Sequence, residues 1–312
     1  MPELPDLTIY LESLTPRIKG QPILNVRVAN PFILRTVDPP ISALIGNTVR
    51  DLGRIGKRIV FALDQDLFVV VHLMIAGRFH WKPSGSKLPG RSGHAAFDLP
   101  TGTLLLTEAS TKKRASIHVV KGRSSLAQFD RGGLELLGSN LTQFRSALLR
   151  ENRTLKRALT DPRLFSGIGN AYSDEILHHA RLSPLALTQR LTSEEVQRLH
   201  GATLRVMEEW IERLRLETGD GFPERVTAFR SEMGVHGKFG ERCSACGTKV
   251  QRIVYAENEC NYCPRCQTGG KLLSDRSLAR LLKEDWPRTI DEFEANDAGG
   301  VGQTGNLSKT GS

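Results

Sequence analysis

The chain has 312 residues, of which 25% are charged and 39% are hydrophobic. That length is too great for one typical core and predicts two domains, with room for a small additional module. The hydrophobic fraction is ample for burial and excludes wholesale disorder. The longest apolar stretch, at residues 67–77, is far shorter than a membrane span, and the chain start lacks the basic-then-apolar pattern of a secretory leader. We therefore expect a soluble, cytoplasmic protein with no membrane contact.

The charge is unevenly distributed along the chain. Lys and Arg total 43 against 34 Asp and Glu, a net charge of +9. From Glu284 onward there are two basic and six acidic residues, which leaves 41 basic and 28 acidic residues in 1–283, a net of +13. A basic body of this size indicates a polyanionic partner, of which nucleic acid is the commonest. A charge that only maintains solubility is the alternative.

The first 125 residues are predicted mainly as strands. Short segments rich in β-branched and apolar residues are separated by Gly, Pro and Asn; they lie at residues 23–28, 58–63, 67–74, 103–106 and 116–120. The exception is residues 7–18, where apolar residues recur at helical spacing. An opening helix before a β sandwich is therefore expected.

From about Ser125 the apolar period becomes helical. Four segments show it, at residues 141–150, 153–159, 170–180 and 193–216. Residues 217–240 have no clear period and are predicted as a long loop. Beyond the cysteine segment we predict a short helix near residues 276–283, and the tail from Asn296 has too little apolar content to fold.

The five cysteines lie within one short segment. Cys243 and Cys246 form one pair, and Cys263 and Cys266 form a second pair after 16 intervening residues, a spacing typical of a four-thiolate zinc site. Disulfides, which a cytosolic chain disfavours, and an unrelated redox pair are the alternatives. Four thiolates leave no open coordination position, so the predicted zinc folds a hairpin and does no chemistry. Cys260 is predicted to be a bystander.

A glycine-containing turn precedes the helix predicted at residues 170–180. Asn170 is a suitable N-cap, and glycines such as Gly169 let backbone amides approach an anion at the positive end of a helix. Lys156, on the preceding helix, adds a positive charge. One interpretation is therefore a phosphate site, and the other is an ordinary turn between two helices.

The chain start carries a candidate nucleophile. If Met1 is removed, the chain begins with the secondary amine of Pro2, beside Glu3. An α-amino group has a pKa near 7.7–8 and lysine one near 10.4, so the terminal amine is the readier nucleophile at neutral pH. Its attack on an electrophilic sugar carbon gives a Schiff base, and Glu3 can move protons to the opening ring. Many chains begin in this way, however, and Lys57 by itself reads as a solvated hairpin lysine.

Together and in this order, these features resemble the formamidopyrimidine-DNA glycosylase (Fpg/Nei) family. The resemblance rests on Pro2-Glu3-Leu4-Pro5-Asp6, the Gly56-Lys57 hairpin, GIGNAYSDE at residues 167–175 and YCPRCQ at residues 262–267, and it spans about residues 2–272. The leading Pro-Glu-Leu-Pro is more similar to the formamidopyrimidine branch than to the endonuclease VIII branch.

The resemblance implies an α+β fold with DNA bound in a cleft. Its parts are an N-terminal β sandwich with an opening helix, a helical helix–two-turn–helix domain and a C-terminal zinc-finger β hairpin. We expect a catalytic domain at residues 2–125, the helical domain with a lesion-covering loop at 126–240, the zinc finger at 241–272, a helical extension at 273–295 and a disordered tail at 296–312.

Roles for single residues follow from the same resemblance. Pro2 would attack C1′ of the damaged nucleotide, Glu3 would serve as acid and base, and Lys57 would contact the phosphate at the lesion. Met74 matches the residue that fills the gap left by an everted base, and eversion is needed because the glycosidic carbon is unreachable inside a stacked duplex. The expected DNA contacts are completed by Arg114, Lys156, Gly169, Asn170 and Asn258.

Three positions depart from the family's pattern. Asn258 stands where family fingers carry an arginine, and asparagine supplies neither the charge nor the bidentate fork; Arg252 and Arg276 are candidates to replace it. The wedge segment reads STKKRAS at residues 110–116 in place of an Asp-Pro-Arg-Arg-Phe-Gly run, with Arg114 the best wedge candidate. Asp6 stands where a glutamate is usual.

The predicted function is removal of oxidised or ring-opened purines, such as formamidopyrimidine and 8-oxoguanine, from duplex DNA in base excision repair. The resemblance implies a bifunctional glycosylase and β,δ-type AP lyase that is monomeric, holds one structural zinc and works in a bacterial cytoplasm on the nucleoid. The alternative is a weakly active or non-enzymatic binder of damaged DNA, which the altered finger motivates. An RNA- or protein-binding zinc ribbon explains the basic charge but not the N-terminal residues.

Overall fold

The computed structural model describes residues 1–255, 258–273 and 287–299. The chain opens with helix α1, Leu4–Ile18. Glu3 is its N-cap residue, and the Glu3 backbone N–H donates to Asp6 Oδ2 at 2.9 Å, which closes a capping box. This local exchange fixes the direction in which residues 1–3 enter the fold.

Eight strands follow within the fully described residues 1–130. They are β1 Asn25–Val28, β2 Val49–Ile55, β3 Arg58–Leu63, β4 Leu67–His72, β5 Gly77–Lys82, β6 Gly93–Leu99, β7 Gly102–Glu108 and β8 Ser116–Lys121. They form two four-stranded antiparallel sheets, in the orders β1-β6-β7-β5 and β2-β3-β4-β8.

The two sheets share one apolar core. Alternate residues such as Phe61 and Val69 of one sheet pack against Phe97 and Leu104 of the other, and all are almost fully buried. Helix α1 adds residues such as Tyr10 to the same core. Burial of this apolar surface is the main stabilising contribution to this part of the fold. The predicted β sandwich with an opening helix is confirmed.

A helical region follows the sandwich. Its helices are α2 Leu141–Leu149, α3 Leu155–Thr160, α4 Asn170–His179 and α5 Ser193–Thr218, and they enclose a second core around Tyr172. Leu4 of α1 belongs to this second core, and its backbone N–H donates to the Gly167 carbonyl at 3.0 Å. The chain start is therefore held where the two cores meet.

The C-terminal region is a small module on α4. Strands β9 Gln251–Tyr255 and β10 Asn258–Tyr262 pair antiparallel, and the short helix α6 Pro264–Thr268 follows. Helix α7, Ile290–Gly299, returns to this module, since the Ile290 N–H donates to the Gly270 carbonyl at 2.8 Å. This hairpin confirms the predicted C-terminal element of the fold.

Of the predictions for the C-terminal end of the chain, the structure tests only where the tail begins. Helix α7 continues past Asn296, where the tail was predicted to begin, so that boundary was wrong for residues 296–299. Buried Ile290 anchors the helix start, and Asp291 in its first turn favours the helix dipole. The helix predicted near 276–283 and residues 300–312 lie outside the described residues. Of the helices described, none combines the length and apolar character that a bilayer span demands.

Candidate active site and DNA interface

Glu3 lies at the junction of the sandwich and the helical region and is only 3% exposed. Its carboxylate accepts three backbone N–H groups from the start of α4, those of Gly169, Ala171 at 3.0 Å and Tyr172 at 3.3 Å. These are amides that a helix start leaves without intrahelical partners, at the positive end of the helix dipole. A carboxylate from another domain therefore caps α4.

The prediction that Asn170 is the N-cap of this helix was wrong. Gly169 is the N-cap residue, and Asn170 is the first residue inside the helix. The distant carboxylate of Glu3 already satisfies the first amides. The Asn170 side chain instead donates to the Glu259 carbonyl on β10 at 2.9 Å, which joins α4 to the cysteine module.

Lys57 reaches the same point from the sandwich. It follows Gly56, whose φ of +59° forms the turn between β2 and β3. Burial lowers the pKa of Lys57, against the opposing effect of the Glu3 and Asp6 carboxylates. A Cβ added to Gly169 would overlap Lys57 Nζ and lie 2.6 Å from Glu3 Oε1. Glycine at position 169 therefore lets the two side chains meet above the helix.

The amino end of the chain lies among these groups. Pro2 is buried, and burial lowers the pKa of the Met1 α-amino group, on which the charges of Glu3 and Lys57 also act. A lowered pKa leaves more of an amine in the uncharged form, which is the nucleophile. The structure thus brings the predicted Pro2, Glu3 and Lys57 together.

Asp6 is a buried carboxyl group beside this site. Its Oδ1 has no hydrogen-bond partner among the described residues, and the guanidinium of Arg230 lies 3.7 Å away. Burial raises its pKa to about 6, although the Glu3 N–H and the charge of Arg230 act in the opposite direction. The native state therefore binds a proton at Asp6 more tightly than the unfolded chain does.

This pKa predicts how stability depends on pH. Between about pH 4 and pH 6 the native state holds more protons at Asp6 than the unfolded state. The contribution of Asp6 to the free energy of unfolding therefore falls as pH rises.

Asp6→Asn removes the ionisation but keeps an oxygen for the Glu3 N–H. We expect it to stabilise the protein at pH 7 by up to about 3 kcal/mol, with no difference at pH 4. Urea unfolding of both proteins from pH 4 to 7 measures this; a less stable variant at pH 7 would show that Arg230 outweighs the cost of burial.

Met74 and Arg114 leave the sandwich at the same end of one sheet. His72 pairs with Ser116 in the β4–β8 register, and each of the two predicted residues lies two positions beyond that pair. Met74 is half-buried, and its neighbour Ile75 is 55% exposed. Arg114 is exposed in the loop between β7 and β8.

Sequence reasoning missed Glu108, which anchors that loop. Glu108 is buried at the end of β7, and its carboxylate accepts the backbone N–H groups of Arg114 at 3.0 Å and of Ala115 at 3.2 Å. A carboxylate at the end of an otherwise buried strand was the available signal, because such a group requires donors from elsewhere in the chain.

Met74 adopts a left-handed conformation, with φ of +53°. This costs a non-glycine residue about 1 kcal/mol. We expect Met74→Gly to change the free energy of unfolding by less than about 1 kcal/mol, because strain relief offsets the entropy of glycine in the unfolded chain. Affinity for a lesion duplex should nevertheless fall. Urea unfolding and fluorescence anisotropy test this, with Met74→Ala as the control that keeps the strain. Unchanged affinity in both variants would exclude the expected role of Met74 in filling the gap left by an everted base.

Lys156 lies next to the start of α4. Its ammonium donates to the Asn170 carbonyl at 2.7 Å and to Asp174 Oδ1 at 2.5 Å. Gly169 and Asn170 lie in the same small region, as predicted, but the Gly169 N–H is bonded to Glu3. Asn258 begins β10 next to Glu259, and its side chain is outside the described part of the structure.

Arg252 is the described candidate for the missing finger arginine. It lies on β9 opposite Asn261. Its guanidinium stacks over the Phe239 ring at 4.3 Å from the centroid and contacts Glu259 Oε2 at 3.1 Å. The guanidinium of Arg252 is thus held on the hairpin, where the carboxylate of Glu259 offsets its positive charge. The other candidate, Arg276, lies outside the described residues.

The four predicted cysteines form one group that fits a zinc ion. The sulfur atoms of Cys243, Cys246, Cys263 and Cys266 all lie within 4.8 Å of one another. Tetrahedral zinc–thiolate bonds of about 2.3 Å place sulfur atoms nearly 4 Å apart, and the Cys243–Cys266 distance is 4.0 Å. Cys260 is buried outside this group, opposite Ile253.

His178 on α4 is a second residue that sequence reasoning missed. Its Nε2 lies 3.3 Å from Cys243 Sγ. An N–H donated to a zinc-bound thiolate stabilises the site's negative charge, and loss of such a contact typically costs 10–100-fold in metal affinity.

We expect His178→Leu to accelerate zinc loss by about 10-fold. Zinc release to a chromophoric chelator measures this without reference to catalysis. His179→Leu, at the neighbouring exposed position, is the matched control. Equal release rates for both variants would mean that the contact with Cys243 has no effect on the metal.

Comparisons with known proteins bear on this site. The family model for the formamidopyrimidine-DNA glycosylase N-terminal domain matches residues 1–115, and the model for the H2TH domain matches residues 136–219. A formamidopyrimidine-DNA glycosylase of Heliobacterium modesticaldum is 32% identical over 281 residues, which cover 86% of this chain and all of the relative. A formamidopyrimidine-DNA glycosylase-like protein of Mycobacterium tuberculosis is 41% identical over 129 residues, covering 41% of this chain and 80% of the relative.

A solved structure shares the fold. The Lactococcus lactis Fpg in complex with DNA containing an abasic site has a TM-score of 0.74 and 25% identity, covering 85% of this chain and 99% of that protein. With both domain models matched in order, and a 32% identical relative aligned along its whole length, the chain belongs to the formamidopyrimidine-DNA glycosylase family.

Proposed function

We propose that this chain is a base-excision-repair DNA glycosylase and AP lyase that removes oxidised or ring-opened purines from duplex DNA. The observation that carries the proposal is the meeting of three groups at the buried chain start: the amino end, Lys57, and a Glu3 carboxylate fixed by the α4 amides. A nucleophilic amine beside a carboxylate is the pair that Schiff-base chemistry at a sugar carbon requires.

The proposed reaction begins after removal of Met1. The Pro2 nitrogen attacks C1′, the bond from C1′ to the damaged base breaks, and the base leaves with the bonding electrons and a proton. Opening of the sugar ring gives an iminium ion between C1′ and Pro2. Proton loss from C2′ then expels the 3′ phosphate, a second elimination expels the 5′ phosphate, and water releases Pro2. Glu3 is proposed to protonate the ring oxygen and to assist the eliminations.

The DNA backbone is proposed to lie across the start of α4. Lys57 would contact the phosphate at the lesion, while Lys156 and Asn170 would hold neighbouring phosphates. Phosphate contacts of this kind position the duplex without reading its sequence. Met74 and Arg114, at one end of the sandwich, are proposed to occupy the space left in the duplex.

The everted base is proposed to enter a cavity beneath residues 219–240, which follow α5 and are called the 219–240 loop. The cavity has a volume of about 220 Å³ and lies between α1, α5 and this loop; it is lined by Asp6, Ile9, Phe222, Val226 and Arg230, among others. The lining combines apolar side chains with charged ones, and Asp6 and Arg230 are proposed to offer polar groups to the edge of the base.

We also propose a metal site, an oligomeric state and a location for the protein. Cys243, Cys246, Cys263 and Cys266 would hold one structural zinc, which fixes the hairpin and takes no part in the reaction. The protein is proposed to act as a monomer in a bacterial cytoplasm, associated with the nucleoid through DNA.

Borohydride trapping tests the proposed function. Duplexes carrying 8-oxoguanine, a formamidopyrimidine or an abasic site are compared, with Pro2→Gly as the control. We expect a covalent adduct on all three duplexes that is much reduced in the control. Adducts on the abasic duplex alone would contradict the purine assignment.

A damaged-DNA binder without efficient turnover is the second candidate. It is favoured by the ion pair between Arg252 and Glu259, which reduces the net positive charge on the described part of the finger. Binding to all three duplexes with no adduct, from protein shown to begin at Pro2, would support it.

A further inference from the structure

Asp174 is a fully buried carboxylate that joins three parts of the molecule. It lies on α4 and is 0% exposed. Its Oδ1 accepts from Lys156 on α3 at 2.5 Å, and its Oδ2 accepts from His236 Nδ1 at 2.8 Å and from the Asn261 backbone N–H at 3.2 Å. These donors come from the helical region, the 219–240 loop and strand β10.

The surroundings of Asp174 favour the ionised form of its carboxyl group. Burial raises the pKa of Asp174, but the charge of Lys156 and the hydrogen bond from His236 outweigh it, so the net shift is downward. A buried charge without partners is strongly destabilising. Each donor therefore helps to fix where the carboxylate points.

Asp174 in turn fixes the direction of Lys156. A lysine ammonium carries three N–H groups. One donates to Asp174 and a second to the Asn170 carbonyl, which leaves one for an outside acceptor. The Lys156 side chain is 12% exposed, so this last N–H has a restricted direction of approach.

His236 connects the 219–240 loop to this network. It is 4% exposed, and its ring stacks on Phe229 with centroids 5.6 Å apart. The neighbouring carboxylate of Glu175 accepts the backbone N–H groups of residues 234, 235 and 236 at 2.8–3.0 Å. Two adjacent carboxylates of α4 thus hold one end of the loop. The side chain of His236 links that end of the loop to Asp174, and Asp174 in turn contacts Lys156.

We propose that Asp174 and His236 are positioning residues that couple the 219–240 loop to the phosphate contact of Lys156. With the loop in place over an everted base, His236 orients Asp174, and Asp174 holds Lys156 toward a DNA phosphate. This inference rests on the proposed function, because it takes the outside acceptor of Lys156 to be that phosphate.

Two substitutions at His236 separate the effect of its hydrogen bond to Asp174 from the effect of its ring stacking on Phe229. His236→Phe keeps an aromatic ring to stack on Phe229 but removes the donor to Asp174. His236→Asn removes the ring, but its side-chain N–H takes the place of the Nδ1 donor. Each is combined with Lys156→Gln, which removes the charge, in a double-mutant cycle. Urea unfolding confirms that each variant is folded at the assay temperature.

Binding to a duplex with a tetrahydrofuran abasic analogue is measured against salt concentration, since each phosphate contact contributes about 0.9 to the slope of log K against log salt. We expect His236→Phe to lose about 5- to 20-fold in affinity, together with part of one contact's slope. His236→Asn should retain most of both. In the Lys156→Gln background, His236→Phe should have little further effect.

Two results would overturn the coupling. The first is a loss of affinity from His236→Phe that is the same with and without the Lys156 side chain. The second is an equal loss of affinity from His236→Phe and His236→Asn, which would assign the effect to the ring stack. The binding measurement needs no turnover, so the coupling and the proposed function can fail independently. If the enzyme is active but the two substitutions have additive effects on binding, only the coupling is excluded. If the protein binds DNA and shows the coupling but forms no Schiff base, only the catalytic proposal is excluded.

Discussion

The Gly169→Ala variant is expected to lose at least about 100-fold in base excision and in Schiff-base formation. A methyl group at this position overlaps Lys57 Nζ and lies 2.6 Å from Glu3 Oε1. Both side chains must then shift, and a displacement of about 1 Å costs catalysis about 100-fold. Single-turnover excision and borohydride trapping measure the loss.

Gly201→Ala is the matched control. Gly201 lies in α5, and a Cβ there meets nothing within 4 Å. The same substitution at an exposed helix position should stabilise the protein by up to about 1 kcal/mol and leave excision unchanged. Full activity of Gly169→Ala would mean that Lys57 and Glu3 need not meet above this glycine.

Glu3→Gln is expected to reduce excision by about 100- to 10,000-fold, the range for loss of a general acid or base. It should also destabilise the protein by about 1–3 kcal/mol. The carboxylate accepts three N–H groups, through both of its oxygen atoms. A carboxamide must turn its NH₂ group toward at least one of these donors, which leaves a buried amide unsatisfied.

Glu12→Gln separates these effects from a general loss of charge. Glu12 lies on the same helix and forms an exposed ion pair with Arg215, and such pairs contribute little to stability. Excision rates and urea unfolding of both variants are compared. If Glu3→Gln excises at the wild-type rate, Glu3 is a helix cap and takes no part in the chemistry.

Features encoded in neighbouring residues could be predicted from the sequence. The four cysteines that could hold a metal ion are recognisable because each pair is spaced to lie in one tight turn. The hairpin that presents Lys57 is recognisable because Gly56 supplies the positive φ that the turn needs. Helix α5 follows from its apolar period and from the capping box that Thr192 opens.

Contacts between distant residues could not be predicted in the same way. Glu3 caps a helix that begins more than 160 residues later, so local capping preferences pointed to Asn170 instead. Glu108 and His178 act through partners that the fold alone brings near. Each is a polar residue whose role depends on which donor or thiolate it meets after folding.

The β9–β10 hairpin lacks an arginine at a position where the family resemblance implies one. Asn258 occupies that position, and Arg252 on the paired strand forms an ion pair with Glu259. To contact a DNA phosphate in place of that arginine, Arg252 must break its ion pair with Glu259.

The Pro2 amine is proposed to form the covalent bond to DNA. Mass spectrometry of the borohydride-trapped complex with abasic duplex, after nuclease and protease digestion, identifies the residue that carries the bond. We expect the reduced sugar fragment on the N-terminal peptide, which begins at Pro2 without Met1. An adduct on an internal lysine such as Lys57, or on a chain that retains Met1, would exclude Pro2 as the nucleophile.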